Sequence, residues 1–432
     1  MKNNLFKINN LSIEEVGQYC FYLGTFLLSS TLLLSALFYL ISLVISFTKK
    51  PLRIRSDLYN LILFLTSVFM ILSTINSFYT INQIELIEWN RNLSLINLFN
   101  WIPLFLLFSG SQFYLREKIH RINFAKCLFI GLVPVIISCI LHKWFIFNGP
   151  YEFINGLIVF YLKPIPNLSG VAGLFSNPNY LGIWLSSSLP FSIFIFKRNY
   201  GKKYNLMFIS LIIFLTIYFI IFSNSRNSLI GVFIAASIMT SIKFIIFLFF
   251  TFFLIFIISS GIIPLPFIDN LLSKDFLSNH IFTKLFNTNY VNKYQFPRMD
   301  IWVKCLNFIN QKPLIGWGAG TFPLLYISSK GIMRATHAHS MPLEIAQIYG
   351  IPTALLIVFL VISLLIKSKQ VIFSKSNISN NQINKAWIAS TLIIVISQLT
   401  DITYYEGKIS ILIWILFAGL RCIIAENVYQ KF

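Results

Sequence analysis

A short polar segment before an apolar run carries the side chains best suited to acid–base chemistry. His337 and His339 lie in the segment THAHS, residues 336–340. Because the imidazole pKa lies near working pH, a single histidine here is suited to act as a general base, and His339 is our first choice. Glu344, five residues on, is expected to orient or tune that ring. A metal site is the alternative in extended backbone, where both rings share a face, and a polar helix cap is the structural interpretation.

Three arginines are placed to bind an anion. Arg226 lies in a very short turn between two apolar runs, Arg298 directly precedes a helical pattern, and Arg334 precedes the histidine segment. A guanidinium is always charged and binds phosphate oxygens in bidentate fashion, and helix N-termini favour anions as well. Arg226 and Arg298 are therefore candidate anion-binding residues, each taken singly. The structural alternatives are an interfacial arginine at 226 and a surface cap at 298.

A third polar motif interrupts an apolar stretch. Asn177 and Asn179 flank Pro178 in GLFSNPNY, residues 173–180, at the start of an apolar run. Such a break is tolerated in a membrane where the backbone lines a cavity. Asn177 and Asn179 are therefore secondary site residues, with a plain helix-start turn as the alternative.

The elements that position these residues must lie in a membrane. Of the 432 residues, 56% are hydrophobic and 11% are charged, against about 25% charged in soluble domains. The net charge of +20 would suit nucleic-acid binding, but Lys and Arg fall mainly in loops between apolar runs, as orientation signals do. The five cysteines are scattered and form no metal-type spacing. The composition predicts an all-α polytopic membrane protein without a nucleic-acid partner.

The apolar runs predict eleven or twelve transmembrane helices. They fall at 21–47, 58–78, 94–112, 127–147, 169–196, 206–223, 228–242, 244–265, 341–366, 387–404 and 409–426. A helix needs about 20 residues to cross. The run at 21–47 is one tilted helix in the eleven-span interpretation. In the twelve-span interpretation it folds with residues 11–20 into two helices broken near Ser29 and Ser30.

Clustered basic residues orient the spans. The clusters comprise Lys49, Lys50, Arg53 and Arg55; Arg116, Lys118, Arg121 and Lys126; Lys197, Arg198, Lys202 and Lys203; and Lys367, Lys369, Lys375 and Lys385. Alternating spans put all four on one side, which is the cytoplasm by the positive-inside rule. The chain then divides into a bundle at 1–265, a large loop on the outer, periplasmic side at 266–340 and C-terminal helices at 341–432, as expected of an inner-membrane protein.

The large loop contains a predicted amphipathic helix. Apolar residues recur at helical spacing from Met299 to Ile309, and Pro313 ends the pattern. Gly316, Gly318 and Gly320 then predict a tight, non-helical passage. Membrane-surface binding explains this helix without any catalysis.

Taken in order, these motifs resemble the O-antigen ligase and polymerase family of bacterial envelopes. The resemblance covers most of residues 165–366: GLFSNPNYLG, SNSRNSLIG, RMDIWVKCLNFINQKPLIGWGAGTF and HAHSMPLEIAQIYG are similar to four family motifs. Each motif is weak alone, but their order around a large outer loop is fairly specific. The remaining chain adds only topology to the resemblance.

The resemblance implies an inverting, metal-independent, GT-C-like glycosyltransferase without a cofactor. A glycan on a polyprenyl diphosphate, such as undecaprenyl diphosphate, would move to an acceptor hydroxyl at the periplasmic face, as in lipopolysaccharide biosynthesis. Arg226 and Arg298 would bind the diphosphate, with Arg334 as a third cation by sequence proximity. His339 would be the catalytic base, with His337 as the lesser candidate. The family also implies twelve spans with both ends inside.

The sequence is compatible with several functions. A ligase would use lipid A core or a protein as acceptor and a polymerase another glycan repeat, and the motifs do not separate them. A membrane transporter, for instance one related to bicarbonate uptake, is the alternative from another class. Transporters carry polar residues near mid-bilayer, whereas the polar motifs here gather at the outer face, which favours an enzyme. A structural scaffold would not need the arginine and histidine set.

Overall fold

The fold is a bundle of long apolar helices, seen in a computed structural model. The structure describes residues 12–52, 54, 57–80, 89–145, 149–155, 158–161, 170–199, 201–241, 297–329, 331, 335–374 and 381–429. Within these ranges eight helical segments are long and apolar enough to cross a membrane, and two further apolar helices are shorter. The prediction of an all-α polytopic membrane protein is confirmed. The predicted span at 244–265 lies outside the described residues.

The N-terminal half consists of paired helices and one small hairpin. The helices are α1 (Ile13–Leu27), α2 (Leu32–Lys49), α3 (Leu58–Thr80), α4 (Arg91–Phe99), α5 (Ile102–Leu115), α6 (Lys118–Ile130) and α7 (Leu132–Trp144). Strands β1 (Tyr151–Phe153) and β2 (Ile158–Phe160) then pair antiparallel, with Glu152 opposite Val159. The predicted run at 94–112 is broken between α4 and α5, where Pro103 sits in the first turn of α5.

The run near residues 11–47 folds as two helices rather than one. α1 ends at Leu27, α2 begins at Leu32, and the two helices pack against each other. Glu14 near the start of α1 pairs with Lys49 at the end of α2, with 3.3 Å between Oε1 and Nζ. The helices are therefore antiparallel, as the twelve-span interpretation predicts.

The C-terminal half holds the motifs. It comprises α8 (Pro178–Arg198), α9 (Lys203–Phe222), α10 (Arg226–Met239), α11 (Pro297–Gln311), α12 (Phe322–Ser328), α13 (Met341–Tyr349), α14 (Ile351–Ile372), α15 (Gln382–Ser397) and α16 (Gly407–Tyr429). The amphipathic helix predicted in the large loop is α11. The predicted run at 341–366 is divided by Gly350 into the short α13 and the long α14.

Small residues let α8 lie against α10 at close range. A Cβ on Gly182 of α8 would come within 2.7 Å of the Ser228 hydroxyl of α10, and one on Gly231 within 2.8 Å of the Ser186 hydroxyl. Close backbone approach through small residues is how helices associate in lipid, where apolar burial gives no driving force. This contact brings the start of α8, with Asn179, beside the start of α10, with Arg226.

The described members of the four basic clusters share one end of the bundle, which we call the basic end. One cavity there is lined by Lys50 of the first cluster and Arg116 of the second. Another is lined by Lys118 of the second cluster, Lys197 of the third, and Gln382, three residues before Lys385 of the fourth. The alternation of spans thus predicted the clustering, while the cytoplasmic location of this end stays a prediction.

Candidate functional site

The site is built around a hydrogen-bonded pair, His339 and Asp401. Nδ1 of His339 lies 3.2 Å from Oδ1 of Asp401, which occupies the connection between α15 and α16. His339 has a φ of +50°, a left-handed conformation that residues other than glycine adopt rarely. Its side chain is 27% exposed, so the imidazole is open to a substrate.

Asp401 is a buried carboxylate with every oxygen engaged. Its Oδ2 accepts a hydrogen bond from Asn179 Nδ2 at 3.2 Å, and its Oδ1 accepts from the Ile402 backbone N–H at 3.0 Å. Burial by itself raises the pKa of Asp401, but the hydrogen bond and charge of His339, together with Arg298, hold that pKa below its ordinary value. Asp401 is therefore ionised near neutral pH.

The charge of Asp401 fixes the tautomer of His339. A carboxylate can only accept, so Nδ1 of His339 must carry a proton and donate it. In the neutral ring the other nitrogen, Nε2, then has the free lone pair. This arrangement orients a base and stabilises the imidazolium that forms when the base takes up a proton.

Arg298 lies within electrostatic reach of this pair, and Arg226 lies within reach of Arg298. Burial lowers the pKa of Arg298, whereas the charge of Asp401 raises it and the charge of Arg226 lowers it, so Arg298 interacts with both neighbouring charges. Arg298 is the second residue of α11, whereas Arg226 is the first residue of α10 and is exposed. Two cations held together with one facing solvent suit an anion with more than one charge.

His337 neighbours His339 but lies in a different environment. The two ring centroids are 4.3 Å apart. The backbone N–H of His339 donates to Nδ1 of His337 at 3.4 Å. Burial, together with the charges of His339 and Arg298, lowers the pKa of His337 to about 4 despite the opposing effect of Asp401. His337 is therefore neutral near pH 7, and it has the weaker position for a base.

Glu344 acts on the backbone between the two histidines. Its Oε2 accepts from the Ala338 N–H at 2.8 Å, while Trp302 Nε1 of α11 donates to the Ala338 carbonyl at 3.0 Å. Both polar groups of Ala338 are thus held, and the flanking rings are fixed. The carboxylate that contacts His339 is that of Asp401, not that of Glu344.

The two asparagines have separate roles. Asn177 is the N-cap of α8, and its side chain accepts from the Asn179 N–H at 2.8 Å. This is the helix-start interpretation of the motif. Asn179 instead turns its amide to Asp401, so it belongs to the site.

The connection at 398–406 ties the site to its surroundings. The Met341 N–H donates to the Gln398 carbonyl at 2.8 Å, and the Thr400 hydroxyl donates to Asn227 Oδ1 at 3.1 Å. Lys408, which is 5% exposed, donates to the Leu174 carbonyl at 2.7 Å. The connection therefore contacts the starts of α13 and α10, while the start of α16 contacts the segment before α8.

Asp401 and Lys408 were missed at the sequence level. The available signal was position: Asp401 is an acid near the end of the apolar run at 387–404, on the side where alternation puts the histidines. Because the last two spans were credited only with topology, that signal was not used. Arg334 lies outside the described residues.

Part of this site lies in a segment that is similar to a known protein family. A family model described as O-antigen ligase matches residues 211–358 of the chain. The matched segment contains Arg226, Arg298 and His339, while Asn179 and Asp401 lie beyond its ends. No curated protein matches the chain significantly.

The fold and site define a polytopic membrane protein whose polar groups converge at one end of a helical bundle. Over residues 211–358 the chain is similar to the O-antigen ligase family, which supports the resemblance predicted from the sequence motifs. This match supports a glycosyltransferase of the ligase or polymerase type, with lipid-linked glycans as substrates in a membrane setting.

Proposed function

We propose that the protein transfers a glycan from a polyprenyl diphosphate to an acceptor hydroxyl at the His339 end of the bundle, which faces the periplasm of a bacterial inner membrane. The observation that carries the proposal is the His339–Asp401 pair beside Arg298 and Arg226. A base and an anion site at one place are what this transfer requires.

In the proposed reaction, Nε2 of His339 takes the proton of the acceptor hydroxyl. The acceptor oxygen forms a bond to the anomeric carbon as the bond from that carbon to the diphosphate oxygen breaks. Direct displacement from the opposite face inverts the anomeric centre. Asp401 stabilises the imidazolium, and its proton is later released to solvent.

Arg226 and Arg298 bind the leaving diphosphate. Negative charge grows on the diphosphate as the bond breaks, and preorganised cations stabilise this charge more in the transition state than in the bound donor. No metal is needed in this scheme, since the arginines supply the charge. Arg334 stays a third proposed cation.

A transporter is the second function considered, and the placement of the charges disfavours it. Transporter sites lie near the bilayer midplane in broken helices. Here Arg226, Arg298 and Asp401 lie at helix starts or in a connection at one end of the bundle. A transporter would also not require the oriented base at His339.

The test replaces His339, Arg226 and Arg298 individually by alanine and profiles surface glycan on gels. We expect loss of long-chain glycan in each variant at wild-type expression. His120→Ala and Arg198→Ala are matched controls at the basic end and should retain it. Wild-type glycan in all three site variants would contradict the proposal.

The same experiment separates the two acceptor classes when lipid-linked glycans are extracted from the His339→Ala cells. A polymerase acts before chain extension, so its loss leaves donor with a single repeat. A ligase acts afterwards, so its loss leaves long glycan on the polyprenyl diphosphate.

A further inference from the structure

The basic end contains a cavity that the proposed transfer does not use. Its volume is about 590 Å³, within the range of ligand sites, and it lies between α2, α3, α5 and α16. Three cations, Lys50, Arg116 and Arg421, line it together with two carboxylates, Asp57 and Glu426. His339 lies at the opposite end of the bundle.

Asp57 is already committed to protein partners. Its Oδ1 accepts from the Tyr59 N–H at 2.9 Å, at the start of α3, and its Oδ2 accepts from Arg421 Nη2 at 3.1 Å. Glu426 is paired with Arg121, a fully buried arginine that also donates to the carbonyls of Leu115 and Arg116. Because each carboxylate already pairs with one arginine, neither can fully neutralise the charge of Lys50 or Arg116 as well.

Positive charge therefore exceeds negative charge around the cavity. Four cations, counting Arg121 behind Glu426, stand against two carboxylates among the described residues. The Arg116 side chain is exposed, and its guanidinium lies 4.9 Å from the centre of the Phe113 ring, over the ring face. In this position its N–H groups can reach an anion in the cavity.

Neutral donors and acceptors complete the lining. Asn60 and Ser109 are joined by a hydrogen bond of 2.8 Å, and Gln112 lies one helical turn further along α5. Basic pockets between helices at the cytoplasmic surface bind the headgroups of anionic lipids. A phosphate group fits this donor set, because two N–H groups of a guanidinium can bind two phosphate oxygens at once.

We propose that this cavity binds a phosphate group, with Arg116 and Arg421 as its cationic ligands. The phosphate has two sources, the headgroup of an anionic phospholipid or free phosphate. The inference stands independently of the transfer reaction at the other end.

The experiment measures thermal unfolding of the full chain in detergent during titration with dioleoyl phosphatidylglycerol, dioleoyl phosphatidylcholine or inorganic phosphate. We expect saturable stabilisation by phosphatidylglycerol or by inorganic phosphate, and none by phosphatidylcholine. Saturation by phosphatidylglycerol alone identifies the lipid headgroup, and saturation by both identifies the phosphate group itself. Equal responses to the two lipids, or none to either anion, would overturn the proposal.

Arg116→Ala tests the site directly. Loss of one charge-assisted bidentate contact should raise the half-saturating concentration about tenfold. Lys202→Ala removes an exposed cation of the third cluster that does not line the cavity, and it should titrate like the wild type. If Arg116→Ala does not purify, Arg116→Lys keeps the charge but loses the fork, and its half-saturating concentration should still rise. Identical titrations for the Arg116 and Lys202 variants would also overturn the proposal.

Discussion

At the residue scale, a few buried charges set the chemistry. Asp401 is 8% exposed yet ionised, because the hydrogen bond and charge of His339 and the charge of Arg298 outweigh its burial. Asn179 holds the second carboxylate oxygen. The orientation of His339 therefore depends on Asp401 and, through Asp401, on Asn179.

Asp401→Asn tests this dependence. The variant keeps the shape of the side chain but removes the charge that stabilises the His339 imidazolium. We expect kcat to fall about 100-fold with little change in the donor KM. Steady-state kinetics with a purified lipid-linked donor provide the measurement.

Glu152→Gln, on the exposed strand β1, is the matched carboxylate control and should leave both constants unchanged. A raised donor KM with wild-type kcat in Asp401→Asn would place Asp401 in donor binding instead.

His337 predicts a specific acid sensitivity. Its pKa is about 4 in the folded protein, against an ordinary value near 6.5, so the unfolded chain binds the proton more tightly. The contribution of neutral His337 to the free energy of unfolding is complete above pH 6.5 and is lost as the pH falls towards 4. Over this window we expect His337→Gln to lose less stability than the wild type, by on the order of 1–3 kcal/mol.

Thermal unfolding between pH 7 and 4.5 checks this difference. His120→Gln at the basic end controls for general acid effects. The pKa of Asp401 lies below its ordinary value, so Asp401 takes up its proton mainly below this pH range. An unchanged pH slope in His337→Gln would show that His337 is not responsible.

At the element scale, close backbone contacts hold the site together. The passage after α11 pairs with the end of α13, where the Trp317 N–H donates to the Gln347 carbonyl at 2.8 Å and the Gly318 N–H to the Ile348 carbonyl at 2.9 Å. In the other direction, the Ile351 N–H donates to the Pro313 carbonyl at 2.7 Å. The glycine-rich motif of the sequence is therefore the contact that docks α11, with Arg298, onto α13, beside His339.

Gly350→Ala tests this docking. Gly350 has a φ of +89°, and a Cβ there would lie 2.2 Å from the Leu314 carbonyl oxygen. Clash and conformational strain together should cost at least about 3 kcal/mol of unfolding free energy, seen as a lower Tm in detergent.

Gly201→Ala is the matched control. Gly201 has a φ of +98° but nothing within 4 Å of the added Cβ, so it reports the conformational cost alone, about 1 kcal/mol. Equal losses in the two variants would mean that the contact with Leu314 contributes nothing.

At the scale of the whole molecule, the bundle has two chemically distinct ends. The basic clusters and the 590 Å³ cavity lie at one end, and His339, Asp401 and the arginines of the proposed site lie at the other. The pair between Glu14 and Lys49 puts the start of α1 at the basic end. A path of twelve spans follows when the 15-residue α1 and the predicted span at 244–265 are counted with the ten apolar helices of the described residues.

Cysteine labelling from each side of the membrane tests this path. We expect Ser12→Cys and Lys202→Cys to react from the cytoplasm and Glu152→Cys to react from the periplasm. The native cysteines are buried or half-buried, so their background should be low. Labelling of Ser12→Cys from the same side as Glu152→Cys would refute the path.

The sequence by itself determined the membrane class, the basic end and the order of the motifs. Hydropathy, charge clusters and helical periodicity are local properties, readable within about 20 residues. They also sufficed to predict α11 and to nominate Arg226, Arg298 and His339. The choice between one helix and two near residues 11–47 stayed open, because both arrangements satisfy the same hydropathy.

Only the tertiary structure decided which groups meet. Asp401 is 62 residues from His339 and 222 from Asn179, and nothing local to any of these residues specifies the other two. Their contact depends on how α8, α13 and α15 pack and on where the connection at 398–406 closes. The same packing turned Glu344 to the Ala338 backbone rather than to His339. Residue types can be nominated from spacing, but a buried carboxylate acquires its partner only when distant elements dock.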